Sequence, residues 1–143
     1  MHHYTLCGLD NVWLENGYAL ADTEDGPVVS IVDLDGLHRA IAIDIATKHG
    51  GLNGKELRFL RSMLRLSQQK LADHTGNQRG TVTRWENGDA IPRSVEMLVR
   101  GLWLGKAKGC PLTTELLEEW ERQDACAVRL AYRDTGTGWS RAA

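Results

Sequence analysis

Hydrophobic residues recur at two different spacings along the chain, and the spacing changes near residue 33. Before that point, short runs rich in β-branched and aromatic residues alternate with turn signals, of which Asn16-Gly17 is the strongest. The pattern predicts a three-stranded antiparallel β-meander with strands at 12–15, 18–22 and 28–32. After that point, apolar residues fall three or four positions apart, which predicts a helix that begins at Asp33 or Asp35 and ends near residue 48.

The helical spacing continues from residue 52, each time between a capping signal and a breaker. Asn53-Gly54-Lys55-Glu56 has the form of a capping box that starts one helix. Ser67 is suited to cap a second helix that ends before Gly76. A third helix is predicted over 79–86, and Pro92 suits the first turn of a fourth. Beyond a linker rich in breakers, the sequence predicts a helix from Thr114 to about Tyr132 and then a loose tail.

Residues 66–88, LSQQKLADHTGNQRGTVTRWENG, carry the most specific pattern. Two short helices meet at a tight angle only where small residues allow their backbones to approach. Ala72 and Gly76 supply the small positions, and Val82 is placed to fill the core beneath the third helix, beside Leu71 and Trp85. This spacing is what a helix-turn-helix requires.

The same segment, with "LSQQKLA", "G" and "TVTRWENG" in this order, closely resembles the Cro/CI-type (XRE) family of bacterial and phage repressors. The resemblance covers about residues 55–104 and implies that the third helix enters the major groove of DNA. It implies base contacts by Gln78, Arg79, Thr81, Thr83 and Arg84. Phosphate contacts are implied for Ser67, Gln68, Lys70, Asn87 and Arg93. The alternative for each of these residues is a solvated basic face.

The predicted fold is therefore mainly α, with a five-helix Cro/CI-type helix-turn-helix domain preceded by a small antiparallel β-meander plus helix, and α+β overall. Three regions follow from this interpretation. Residues 1–51 form the meander and its helix as a dimerisation or partner-binding region, 52–108 the DNA-binding domain, and 109–143 a C-terminal helix and flexible tail.

The distribution of charge agrees with a nucleic-acid partner, although the net charge of −2 does not. Residues 1–52 carry eight acidic and two basic residues, and 109–143 carry six and four. Residues 53–108 carry five acidic and eleven basic residues, a net charge of +6 on the segment that holds the motif. Such segregation indicates an electrostatic footprint for DNA between two acidic flanks.

One such domain covers about one half-site, so we expect a homodimer on a palindromic operator. The edge strand of the meander is the favoured interface, and the C-terminal helix around Leu116, Leu117 and Trp120 is the alternative. A third possibility is that the meander only packs within its own chain. The run YTLCGLDNVWLENGY, with DGLHRAIA after it, is also similar to repressors related to the MqsA antitoxins. That resemblance implies a protein toxin as a further partner, but not zinc, since the cysteine pairs of MqsA are missing.

Other chemistry finds little support in the sequence. Cys7, Cys110 and Cys126 are too far apart for a disulfide framework or a structural zinc site, so we predict no metal and no cofactor. His38 with Asp33, Asp35 and Cys7 lacks any motif of an activated nucleophile, so we predict no enzyme. No apolar run is long enough to span a membrane, and no secretory signal begins the chain, which favours the cytoplasm of a bacterium or of a phage host.

The sequence thus predicts a dimeric transcriptional repressor that binds double-stranded DNA specifically and regulates its own operon. Two alternatives stay open. The first is the antitoxin of a type II toxin–antitoxin pair. The second is a phage or mobile-element regulator, including the type associated with anti-CRISPR genes.

Overall fold

A computed structural model describes residues 1–109 and 129–142, which contain five helices and six strands. The strands are β1 (His2–His3), β2 (Val12–Leu14), β3 (Tyr18–Thr23), β4 (Gly26–Ile31), β5 (Leu130–Asp134) and β6 (Trp139–Arg141). The helices are α1 (Leu34–Thr47), α2 (Gly54–Met63), α3 (Gln68–Thr75), α4 (Arg79–Glu86) and α5 (Arg93–Lys108). This mixture of helices and strands confirms the α+β class. None of the helices in the described ranges has the length and apolarity needed to cross a membrane.

The described residues fall into two compact units, and the division lies within α1. The first unit consists of residues 1–41 and the described part of 127–143. The second consists of the described part of 42–126 and contains the predicted helix-turn-helix.

A four-stranded sheet with the order β1-β2-β5-β6 forms the first unit's core. β2 lies in its middle, antiparallel to β1 and parallel to β5, with Val12 opposite Leu130 and Leu14 opposite Tyr132. The side chains of Val12, Leu14 and Tyr132 are fully buried. The buried centre of this sheet therefore joins segments from opposite ends of the sequence.

The predicted three-stranded meander is wrong in its pairing. β3 and β4 do form an antiparallel hairpin with a two-residue turn, but β2 is not their third strand. Both edges of β2 are taken by β1 and β5, so Asn16-Gly17 cannot turn it back onto β3. Instead, the Asn16 side chain donates to the Asp134 carbonyl (3.2 Å) and accepts from the Asp134 amide (2.7 Å). Gly17, at φ +74°, leads the chain from one sheet into the other.

The predicted C-terminal helix and tail also need correction. Residues 110–128, which hold most of that helix and Leu116, Leu117 and Trp120, lie outside the described residues. From Leu130 onward the chain is a β-hairpin rather than a helix followed by a loose tail. Trp139 anchors it, because its indole N–H donates to the carbonyls of Val32 (2.9 Å) and Asp33 (3.1 Å). Apolar spacing alone did not distinguish a buried strand from a helical stripe here.

Three of the predicted capping positions are confirmed: α2 begins after Asn53, α3 begins after Ser67, and α3 ends at Gly76. α5 begins at Arg93, so Pro92 is its N-cap residue rather than part of its first turn. Asn53 accepts from the Glu56 amide (2.8 Å), while the Glu56 carboxylate accepts from the Asn53 amide (3.0 Å), so the capping box is confirmed. Glu56 also pairs with Lys48 at 2.7 Å. The buried Arg100 guanidinium donates to the carbonyls of Lys48 (3.2 Å) and Gly50 (2.5 Å), which fixes the segment before α2 against α5.

Candidate nucleic-acid interface

Three local features shape the turn between α3 and α4. The Ser67 hydroxyl accepts from the Lys70 amide (3.0 Å) and starts α3. Gly76 ends it at φ +70°, a left-handed conformation that glycine adopts without steric cost. The Asn77 amide then bonds to the Ala72 carbonyl (2.9 Å) and closes the turn. The chain is thereby redirected into α4 within three residues.

The faces that α3 and α4 turn inward are those that the sequence predicted. Leu71, Ala72 and Val82 are fully buried, and Trp85 is 5% exposed. Trp85 is thus a core residue rather than a platform for stacking bases. With these side chains inside, the polar residues of α4 are left on its outer face.

The outer face of α4 presents two arginines. Arg79 and Arg84 are exposed, as are Gly80 and Gln78, which is the N-cap residue and makes no capping bond with its side chain. The Arg84 guanidinium donates to the Thr81 hydroxyl (3.1 Å) and approaches Asp89 at 4.0 Å. Both members of that ion pair are about two-thirds exposed, so the pairing is weak and the guanidinium is accessible to a ligand.

A hydrogen-bond network behind this face joins α2, α3 and α4. Glu86 accepts from the Arg61 Nε (2.7 Å) and from the Gln68 side-chain amide (2.6 Å). The Arg61 Nη1 also donates to the Leu66 carbonyl (2.8 Å). Gln68 in turn accepts from the Thr83 hydroxyl (3.2 Å), which lies equally close to the Arg79 carbonyl. The Gln68 side chain is therefore held at both of its polar atoms before any ligand arrives.

A groove of about 560 Å³ opens where these helices meet. It brings together four of the predicted site residues, Ser67, Gln68, Arg79 and Asn87. Lys70 and Arg93 are exposed but do not line it, and Thr81, Thr83 and Arg84 lie elsewhere on α4. The remaining lining residues are Arg58, Arg61, Gln69 and Glu86.

Sequence reasoning missed Arg58 as a member of this site. Arg58, Arg61 and Arg65 lie along one side of α2 in the sequence pattern, but only the structure separates their roles. The Arg61 side chain is 13% exposed and ion-paired, whereas Arg58 is exposed and lines the groove beside the start of α3. The helical spacing of the three arginines was the available signal.

The second group that the sequence raised, His38 with Cys7, lies in the first unit and is held by core contacts. The Tyr4 hydroxyl and the His38 Nε2 are 2.9 Å apart, and the Cys7 thiol donates to the Tyr4 carbonyl at 3.8 Å. Burial raises the pKa of Tyr4 to about 12 and lowers the pKa of His38, although Asp35 opposes the latter shift. Burial likewise raises the pKa of Cys7. The Tyr4 hydroxyl and the His38 ring thus share a hydrogen bond whose donor depends on the tautomer of His38.

The described part of the chain holds no group of three His, Cys, Asp or Glu side chains placed to bind a metal ion. Comparison of the chain with family models, with curated proteins and with solved structures finds no match.

Proposed function

We propose that the protein binds double-stranded DNA in a sequence-specific manner, with α4 in the major groove. The observation that carries the proposal is the pair of short helices joined through Gly76, which leaves Arg79 and Arg84 exposed on the second helix. A helix with exposed N-terminal side chains is the element that a helix-turn-helix inserts into the major groove. An arginine there has the donor geometry to bond guanine O6 and N7 together.

The groove beside α4 supports a second part of the proposal, contact with the DNA backbone. Ser67 and Gln68 stand at the amide end of α3, where unpaired N–H groups and the helix dipole attract phosphate. Arg58 adds an exposed positive charge on the same groove, and Asn87 adds an amide at the end of α4. These contacts set the position of α4 on the duplex, while Arg79 and Arg84 read the sequence.

Repression is the regulatory outcome that we propose. One α4 covers about one half-site, so useful affinity requires two copies on a palindrome. A dimer bound across a promoter blocks it sterically, and the promoter of the protein's own operon is the first to test.

A two-step binding experiment tests this function. DNA selected from a random pool gives the preferred sequence, and fluorescence anisotropy then compares that sequence with scrambled DNA. Arg79→Ala is expected to lose about 1–3 kcal/mol on the selected sequence and to relax its preference at one base pair. Arg141→Ala removes the same charge from β6 and serves as the matched control. An equal loss for Arg79→Ala on both DNAs would refute direct readout, and a pool that yields no preferred sequence would refute the function.

A further inference from the structure

The β3–β4 hairpin is left as a two-stranded sheet with two open edges among the described residues. Five of the six residues of β3 are exposed, and the Leu20 side chain is 66% exposed. Two strands alone are marginally stable in water, and an open edge of this length is normally protected in a monomer. A further strand would therefore stabilise the hairpin, and the hairpin has open backbone groups with which to bind one.

The pairing within the hairpin determines which backbone groups of β3 point outward. The Val32 amide bonds to the Gly17 carbonyl (2.8 Å), so Gly17 and Val32 form a hydrogen-bonded pair. Hydrogen-bonded and non-hydrogen-bonded pairs alternate along an antiparallel ladder. From the observed register, the N–H and C=O groups that face away from β4 belong to Tyr18, Leu20 and Asp22.

The two edges of the hairpin differ in their capacity to accept a partner strand. Pro27 lies opposite Asp22, so its nitrogen faces the outer edge of β4 and offers no donor there. The outer edge of β3 carries no proline, and Asp22 is the one charged residue in the strand. β3 is therefore the edge that remains competent for strand addition.

We propose that β3 pairs antiparallel with β3 of a second copy of the chain, with the two-fold axis at Leu20. In this register Leu20 lies opposite Leu20 of the other copy, and Tyr18 lies opposite Asp22 of the other copy. It is the one two-fold register in which all three outward-facing residues of each strand find partners. The result is a four-stranded sheet, β4-β3-β3-β4, closed by an isologous contact.

The side chains favour the same register. Cross-strand pairs place Tyr18, Leu20, Val29 and Ile31 on one face, and the axis at Leu20 makes this apolar face continuous across both copies. The Tyr18 phenol is opposite a carboxylate, to which it donates a hydrogen bond. The two Asp22 residues stand four positions apart along the joined strands, about 14 Å at 3.4 Å per residue, so their repulsion is largely screened.

This inference rests on the proposed function in one respect, since a palindromic operator requires two copies. Its test is sedimentation of the full-length chain over a dilution series without DNA. The wild-type chain is expected to be a dimer, and Leu20→Lys, which sets two like charges opposite each other, is expected to raise the dimer dissociation constant more than about tenfold. Val28→Lys is the matched control, because Val28 is also an exposed aliphatic residue of the hairpin (47%) but lies on β4.

A charge-swap pair tests the register itself. Tyr18→Glu places two carboxylates opposite each other and is expected to weaken the dimer. Adding Asp22→Lys to that variant is expected to restore it, since Glu at 18 then faces Lys at 22 of the other copy. The Tyr18 ring lies 5.0 Å from the His2 ring, so Tyr18→Glu also removes a contact within the chain. Weakening of the dimer through loss of that contact would not be rescued by Asp22→Lys.

Each outcome separates this inference from the proposed function. A monomeric wild-type chain, an unchanged dissociation constant for Leu20→Lys, greater weakening by Val28→Lys, or failure of the charge swap would each overturn β3 pairing. Sequence preference measured on a single half-site tests DNA binding independently of the dimer. A dimer that behaves as described but shows no preferred DNA would leave the interface standing and refute the function.

Discussion

The ion pair between Arg61 and Glu86 is expected to contribute strongly to the stability of the helical unit. Their side chains are 13% and 4% exposed, and the Nε–Oε1 distance is 2.7 Å. Glu86→Ala leaves the Arg61 guanidinium buried without its counter-charge and removes the acceptor of the Gln68 amide. Loss of one partner of a buried pair costs about 3–5 kcal/mol. Because Arg61 keeps its bond to the Leu66 carbonyl, we expect a loss near the lower limit, about 3 kcal/mol.

The chain supplies its own control in the exposed pair Arg84–Asp89. These side chains are 67% and 65% exposed and 4.0 Å apart. Such a pair contributes little, so Asp89→Ala is expected to change the free energy of unfolding by less than about 0.5 kcal/mol. Removal of a carboxylate that pairs with an arginine of the same unit is thus predicted to cost at least about sixfold more at Glu86 than at Asp89.

Urea unfolding, followed by circular dichroism at a fixed protein concentration, measures both effects. The double-mutant cycle with Arg61→Ala and Glu86→Ala is expected to show a coupling of about 2 kcal/mol. Additivity of the two substitutions within about 0.5 kcal/mol would refute the assigned interaction, as would a loss below about 1 kcal/mol for Glu86→Ala. Glu86→Ala measured on folded protein should also weaken DNA binding, because Gln68 is no longer held at the groove.

Three further predictions concern other parts of the chain. Arg58→Ala is expected to weaken binding evenly on preferred and scrambled DNA and to reduce the slope of log affinity against log salt by about 1, and an unchanged slope would exclude a phosphate contact. Burial lowers the pKa of His38 in the folded state, so the unfolded state binds the proton more readily. Stability should therefore fall as the pH drops below about 6.5, and His38→Gln should remove this component from unfolding curves measured across pH. Parallel profiles of unfolding free energy against pH for the wild-type chain and His38→Gln would contradict this role of His38. Gly54→Ala should cost about 1–3 kcal/mol, because its new Cβ would meet the carbonyls of Glu86 (2.5 Å) and Trp85 (2.6 Å). Gly105 lies on α5 where a new Cβ would meet nothing within 4 Å, so Gly105→Ala should instead stabilise the protein by about 0.5–1 kcal/mol. A destabilised Gly105→Ala variant in the same unfolding assay would contradict the open space around Gly105.

The helices of the second unit were predictable because their signals are local. Asn53 with Glu56, Ser67 with Lys70, and Gly76 each act within four residues of the chain, so the sequence contains both partners of each interaction side by side. The sheet of the first unit is different. Val12 pairs with Leu130 across 118 positions, and no pattern near either residue indicates the other. A strong local signal, Asn16-Gly17, was overridden because both edges of β2 were already occupied.

The same distinction divides the candidate site. The exposure of Arg79 and Arg84 follows from helical spacing once Val82 and Trp85 are assigned to the core. The role of Arg61 does not, because its partner Glu86 lies 25 positions away on another helix. Arg58 and Arg61 have the same residue type and nearly the same position on α2. Only the packing of α4 against α2 makes one a buried structural charge and leaves the other available to a ligand.

The network behind α4 also changes which residues are expected to read DNA under the proposed function. Thr83 was predicted to contact a base, yet it is half-buried, and its hydroxyl shares its one proton between the Gln68 side-chain oxygen and the Arg79 carbonyl, each 3.2 Å away. Direct readout by Thr83 would break the bond that holds Gln68 in place, so its contribution is to position Gln68. Gly80 offers no side chain on the same face. Discrimination between bases should then concentrate in Arg79 and Arg84, and an operator with guanine at the two matching positions is the expected result of selection.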